Sequence, residues 1–205
     1  WRSWRITKMK IVRSISRRCC RSISGGRRGY RIKKKLRVHQ YDTMMNIVYI
    51  DAQNVHKSLE FYHDWLIDWE RFFVYLKEKY KAEKVKIFFG YVPRYKRFYE
   101  LLSTFWYEVC FKETLILPDG KIKWNVDIDI AIFSVRDYYE WNIIHVFLVT
   151  GDGDYNSLVD FFHEKWILTH VLVPWVKNSS VLLRRSAGKY LVDIAPMRNK
   201  LQKKR

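Results

Sequence analysis

Residues 46–54 read Asn-Ile-Val-Tyr-Ile-Asp-Ala-Gln-Asn, an unbroken apolar run closed by an aspartate. A strand with one wet face alternates polar and apolar residues. A continuous run instead suits a parallel strand covered on both faces. Runs of the same kind recur along the chain. KVKIFFGYV at 84–92 ends at a proline, IIHVFLVT at 143–150 ends in Gly-Asp-Gly-Asp, and HVLVP spans 170–174. A further strand lies within 107–117, before the turn Pro118-Asp119-Gly120, and residues 191–194 can add a short sixth.

Segments of helical period separate these runs. Trp65, Trp69, Phe72, Leu76 and Tyr80 recur at helical spacing, as do Phe98, Leu101, Leu102 and Phe105. Val126, Ile130 and Phe133 predict a helix running on toward Tyr138. Another is predicted over 156–165, and a last one capped by Ser179 or Ser180 with Leu182, Leu183 and Arg184 inside it. Strand–helix alternation with buried strands predicts an α/β fold with a mainly parallel sheet of five to six strands between two helix layers. Such a sheet binds its ligands at the carboxyl ends of its strands.

The net charge of +18 over 205 residues hints at nucleic acid, but it is unevenly placed. Residues 1–45 hold 15 Lys/Arg and one acid, and residues 198–205 hold five Lys/Arg and no acid. The body between them has 19 basic and 20 acidic residues and is near neutral. Three organisational units are expected. Residues 1–44 read as a disordered basic leader or an over-extended reading frame, with Trp at position 1 and Met44 and Met45 before the first apolar run. A basic RNA-binding arm is the functional alternative. Residues 45–197 form one domain, and residues 198–205 a basic C-terminal tail. A hydrophobic content of 48% excludes global disorder, and no run of 18 apolar residues exists to cross a membrane. Cys19, Cys20 and Cys110 form neither a CxxC pair nor a disulfide framework, which fits a reducing, cytoplasmic setting.

Acids fall where this fold converges. Asp51 ends the first run, Asp152 and Asp154 follow the 143–150 run, and Asp127 and Asp129 open a helix. Carboxylates brought within about 4–6 Å repel one another unless a cation sits between them. Oxygen ligands favour a hard ion, Mg²⁺ or Mn²⁺, and no His/Cys cluster argues for zinc. Taken singly, Gly-Asp-Gly-Asp can be a solvated turn, Asp51 a helix cap and Asp127 a first-turn acid. An EF-hand starting at Asp152 would need Gly and Glu where Ser157 and His163 stand. No P-loop, dinucleotide fingerprint or GxSxG elbow occurs.

IDAQN (50–54), PDGKIKWNVDIDIAI (118–132), VTGDGDYNSLVDFF (149–162) and VPWVKNSSVLLRRSAGKYLVDI (173–194) together resemble the NYN domain family of PIN-like nucleases, in its LabA-like branch. The resemblance spans about 46–197 and none of 1–44. It implies a Rossmann-like three-layer α/β/α sandwich, metal-dependent endoribonuclease activity and an RNA substrate, single-stranded by expectation. By the resemblance, Asp51, Asn54, Asp127, Asp152 and Asp154 match the catalytic pocket. The metal sits among Asp51, Asp127, Asp152 and Asp154, with Asp129 as a further member and Lys123 as the lysine of a K-x-N-V-D motif. Ala52 and Trp124 stand where the family often has Gly, and Tyr155 where it usually has Phe.

In this reading one or two Mg²⁺ or Mn²⁺ ions activate water for in-line attack on a phosphodiester. Asn54 orients a water or holds Asp51, Thr150 supports the acids from behind, and Lys123 and Arg94 contact phosphate. A non-catalytic module that binds RNA or a regulatory protein is the alternative, and a Toprim-like phosphotransferase is disfavoured because it would need Glu at position 51. No membrane partner is expected, and a homo-oligomer is left open. The aromatic stretch 61–75 reads as core, with one or two of Phe61, Tyr62 and Trp65 free to be exposed. His56 and the Arg184–Arg185 pair read as surface groups.

Overall fold

The computed structural model describes residues 45–116, 122–123, 125–141 and 143–204. The leader, Trp124 and the Pro118-Asp119-Gly120 turn lie outside the described residues. The order is β1 (Met45–Asp51), α1 (Ala52–His63), α2 (Trp69–Tyr80), β2 (Lys84–Gly90), α3 (Lys96–Thr104), β3 (Glu108–Lys112), β4 (Leu115–Ile116), β5 (Ile122–Lys123), α4 (Asp127–Glu140), β6 (Ile143–Val149), α5 (Asn156–Glu164), β7 (Leu168–Val173), α6 (Val181–Ala187), β8 (Leu191–Asp193) and α7 (Arg198–Leu201). Six strands make one sheet in the order β3-β2-β1-β6-β7-β8, every pair parallel. β4 and β5 form a separate antiparallel pair that sequence periodicity did not reveal.

The unbroken apolar run of β1 is used as its pattern requires. Ile47, Val48, Tyr49 and Ile50 are all fully buried. Val48 and Ile50 join Val55, Leu59, Phe72 and Leu76 in the core under α1 and α2. Ile47 and Tyr49 face the other way, into the core made with Ile130, Tyr138, Val159 and Phe162 of α4 and α5. A strand at the middle of a sheet with helices on both faces has no wet side to mark with polar residues.

Three local features set the helices. Asp51 caps α1 by accepting the Asn54 N–H at 3.0 Å, and Asp68 caps α2 through the Arg71 N–H at 3.1 Å. Ser180, one of the two expected caps, accepts the Leu182 N–H at 3.2 Å to open α6. α1 stops at Asp64, whose φ of 49° is left-handed, so Trp65 lies in the connection to α2 rather than in a helix.

The basic C-terminal stretch is folded onto the body. Asp68 N–H donates to the Leu201 carbonyl at 2.8 Å, Lys203 N–H to that of Leu66 at 2.9 Å, and Leu201 is buried. No helix among the described residues is long and apolar enough to cross a membrane.

Candidate metal centre

β1 lies between β2 and β6, so the chain leaves it toward one side of the sheet and later returns on the other. This change of direction opens a crevice beyond the carboxyl ends of β1 and β6. β1 ends on Asp51, and Thr150-Gly151-Asp152-Gly153-Asp154 follow the end of β6. The amino end of α4 brings Asp127 to the same place. A cleft of about 270 Å³ results, lined by Asp51, Gln53, Asn54, Lys57, Ser58, Asn125, Val126, Asp127 and Asp152.

One carboxylate oxygen from each of Asp127, Asp152 and Asp154 falls within 4.8 Å of the other two. Asp51 joins them through Tyr155. The Tyr155 hydroxyl donates to Asp127 Oδ1 at 2.8 Å and lies 3.4 Å from Asp51 Oδ2. Tyr155 is itself buried, and burial together with the Asp51 charge raises its pKa, so it stays a neutral donor. The sequence marked Tyr155 only as a departure from Phe. An added hydroxyl beside several acids was the available signal of its role.

Backbone hydrogen bonds hold the acids in place. Asp152 Oδ1 accepts the Asp154 N–H at 3.1 Å, while the Asp152 N–H donates to the buried Thr150 Oγ1 at 3.2 Å. Asn54 Oδ1 accepts the Gly151 N–H at 2.7 Å, tying α1 to the loop after β6. The Asn125 side chain accepts the Asp127 N–H at 2.8 Å. Glycine is required at 153 for space, because a Cβ there would stand 2.3 Å from Ser180 Oγ.

The electrostatics are those of crowded acids. Burial pushes the Asp51 carboxyl up from its ordinary 3.8 to about 6; the Asn54 N–H opposes this and the charges of Asp127 and Asp152 add to it. Asp127 is raised as well, by burial first, with the Tyr155 hydrogen bond opposing and the Asp152 and Asp154 charges adding. Oxygen-only donors with repelling charges fit a hard divalent cation, which would remove both costs.

Of the other residues singled out, Asp129 turns away and pairs with Lys112, at 3.0 Å. Positions two apart on a helix point to different sides, so Asp127 and Asp129 do not share a target. The Lys123 backbone pairs with Leu115, and its side chain lies outside the described residues. Arg94 sits in a turn with its guanidinium 4.7 Å from the Tyr95 ring and does not line the cleft. His56 is exposed on α1, 3.6 Å from Glu60. Arg184 donates to the carbonyls of Val176 and Ser179 and so braces the turn before α6. Cys110 is half-buried, its thiol pushed up to about 12 by burial, and is inert.

The family model of the NYN domain matches residues 46–194. No curated protein sequence matches the chain. Among solved structures, a Vibrio parahaemolyticus protein of unknown function, VPA0982, superposes with a TM-score of 0.62 at 22% identity. The match covers 76% of this chain and 96% of that one.

Proposed function

The chain belongs to the NYN domain family, and from that premise we propose that it is a metal-dependent endoribonuclease of the LabA-like branch acting on single-stranded RNA. The observation that carries the reading is the convergence of Asp127, Asp152 and Asp154, with Asp51 hydrogen-bonded beside them, at the carboxyl edge where the sheet changes direction. Family membership makes RNA the substrate class to test first.

Asp127, Asp152 and Asp154 would hold Mg²⁺ or Mn²⁺, with Asp51 as a fourth oxygen ligand. When bound, the cation supplies charge neutralisation at the scissile phosphate and a more acidic water. The chain's own contribution is positioning. Asn54 fixes the loop after β6 against α1, and Thr150 fixes the backbone of Asp152. Tyr155 sets the spacing of Asp51 and Asp127 without adding charge. Lys57, on the wall of the cleft, is the cation placed to meet an incoming phosphate.

The test is cleavage of single-stranded RNA by the full chain in Mn²⁺. Asp152→Asn is expected to cost on the order of 100-fold in rate, the scale typical of losing one preorganised charge-stabilising group. Activity unchanged by Asp152→Asn, or surviving EDTA, refutes the assignment.

A further inference from the structure

α1 begins in the cleft and carries its exposed face out of it. Lys57 and Ser58 line the cleft. Phe61 and Tyr62 stand one turn further on, at i+4 from each, and so continue the same strip of surface. Sequence periodicity reads this stretch as core with one or two of Phe61, Tyr62 and Trp65 free to be exposed; Trp65 packs in the core at 3% exposure, while Phe61 is 81% exposed and Tyr62 44%. The rings are ordered against one another. Phe61 meets Tyr62 edge-on at 4.8 Å, and Tyr62 lies 5.7 Å from Trp175.

Trp175 arrives from a different element, the segment after β7, next to Pro174, whose Cδ lies 3.4 Å from the position a Cβ on Gly151 would take. Two chain segments that border the carboxylates therefore converge on one aromatic ledge. At its far end the Arg198 guanidinium sits 3.5 Å from the carbonyls of His63 and Asp64. The nearest acid on α1, Glu60, is turned to His56.

We propose that Phe61, Tyr62 and Trp175 form a base-stacking subsite for single-stranded RNA, continuous with the carboxylate cleft and bounded by Lys57 and Arg198. The inference rests on the nuclease reading above. A hydrophobic side chain as exposed as Phe61 contributes little to the fold, yet it continues the strip of surface that begins with Lys57 in the cleft. Seven residues of helix separate Asn54 from Phe61, or about 10 Å at ~1.5 Å per residue. That reach corresponds to about three nucleotides at the ~3.4 Å rise of a stacked strand. Stacking accepts any base, so the subsite selects single strands over duplexes without selecting sequence.

The experiment uses the full chain carrying Asp152→Asn, which keeps the probe intact, and short RNAs with 2-aminopurine at successive positions. One or two positions about three nucleotides from the cleavage point should be quenched on binding. Phe61→Ala should weaken binding about 10-fold, the scale of one lost base–aromatic stack, and Phe61→Trp should restore it. On the otherwise unaltered enzyme, Phe61→Ala should raise KM by the same factor, leave kcat within about twofold, and leave cleavage of a dinucleotide unchanged. The melting temperature should not move, since the ring is exposed.

Equal RNA affinity and KM in Phe61→Ala and Tyr62→Ala, with cleavage intact, overturn the subsite and leave the nuclease reading standing. Loss of self-association on Phe61→Ala, with RNA binding unchanged, overturns it in favour of a contact between copies. Failure of the unaltered chain either to cleave or to bind RNA removes the nuclease reading and the subsite with it.

Discussion

Asp51→Asn should stabilise the metal-free protein, and by an amount that grows with pH. Asp51 is 5% exposed and sits beside Asp127 and Asp152. Its folded pKa is about 6 against an ordinary 3.8. Between those values the folded state keeps a proton that the unfolded state has released. Stability is therefore lost as pH rises through this window, and the penalty is complete above pH 6. A shift of that size corresponds to about 3 kcal/mol at pH 8 and roughly half of that at pH 5. Asparagine has nearly the same shape and carries no charge. Its Oδ1 can still accept the Asn54 N–H that opens α1, and Asn is as good a cap as Asp. The measurement is thermal or urea unfolding in EDTA at pH 5 and pH 8. At about 2–4 °C per kcal/mol for a domain of this size, the variant should melt roughly 6–12 °C higher at pH 8 and about half as much higher at pH 5. Mn²⁺ should then raise the melting temperature of the unaltered chain and do less for the variant, which lacks one of the oxygen anions. A variant less stable than the parent at pH 8, or one whose advantage does not depend on pH, would refute the reasoning.

Gly153→Ala should cost about 1–3 kcal/mol, the usual toll of overpacking, because the new methyl would stand 2.3 Å from Ser180 Oγ. Adding Ser180→Gly should recover most of that, since Gly for Ser at a helix cap costs only a few tenths of a kcal/mol; additive losses in a double-mutant unfolding cycle would count against the contact. Lys86→Met should destabilise by about 3–5 kcal/mol in chemical denaturation. It removes the cation in hydrogen-bond contact with the fully buried Asp137, whose Oδ2 accepts from Lys86 at 2.7 Å and from the Tyr49 hydroxyl at 2.9 Å, and leaves the Arg136 guanidinium 3.7 Å from Oδ1. A cost below about 1 kcal/mol would count against this buried pair as a support of the fold.

What could be read without coordinates was whatever depends on chain-local period and punctuation. The run 46–50 announces a strand covered on both faces because its side chains alternate between two equally dry helix layers. The acids at 51, 152 and 154 could be placed because they follow strand ends, and a parallel sheet gathers its strand ends on one edge. Features set by partners distant in sequence were out of reach. Nothing local distinguishes Asp127, which enters the cleft, from Asp129, which turns to Lys112; their placement follows from how α4 rests on the sheet. Lys86 reads as an ordinary strand lysine until Asp137, 51 residues away, meets it inside the core. Tyr155 becomes a bridge between Asp51 and Asp127 only once three separate elements meet. Phe61 belongs to an aromatic stretch that reads as core, yet on α1 it shares a face with Lys57 rather than with the buried Val55 and Leu59. Periodicity assigns a residue to a face of its own element, and only packing determines whether that face meets protein, water or a substrate.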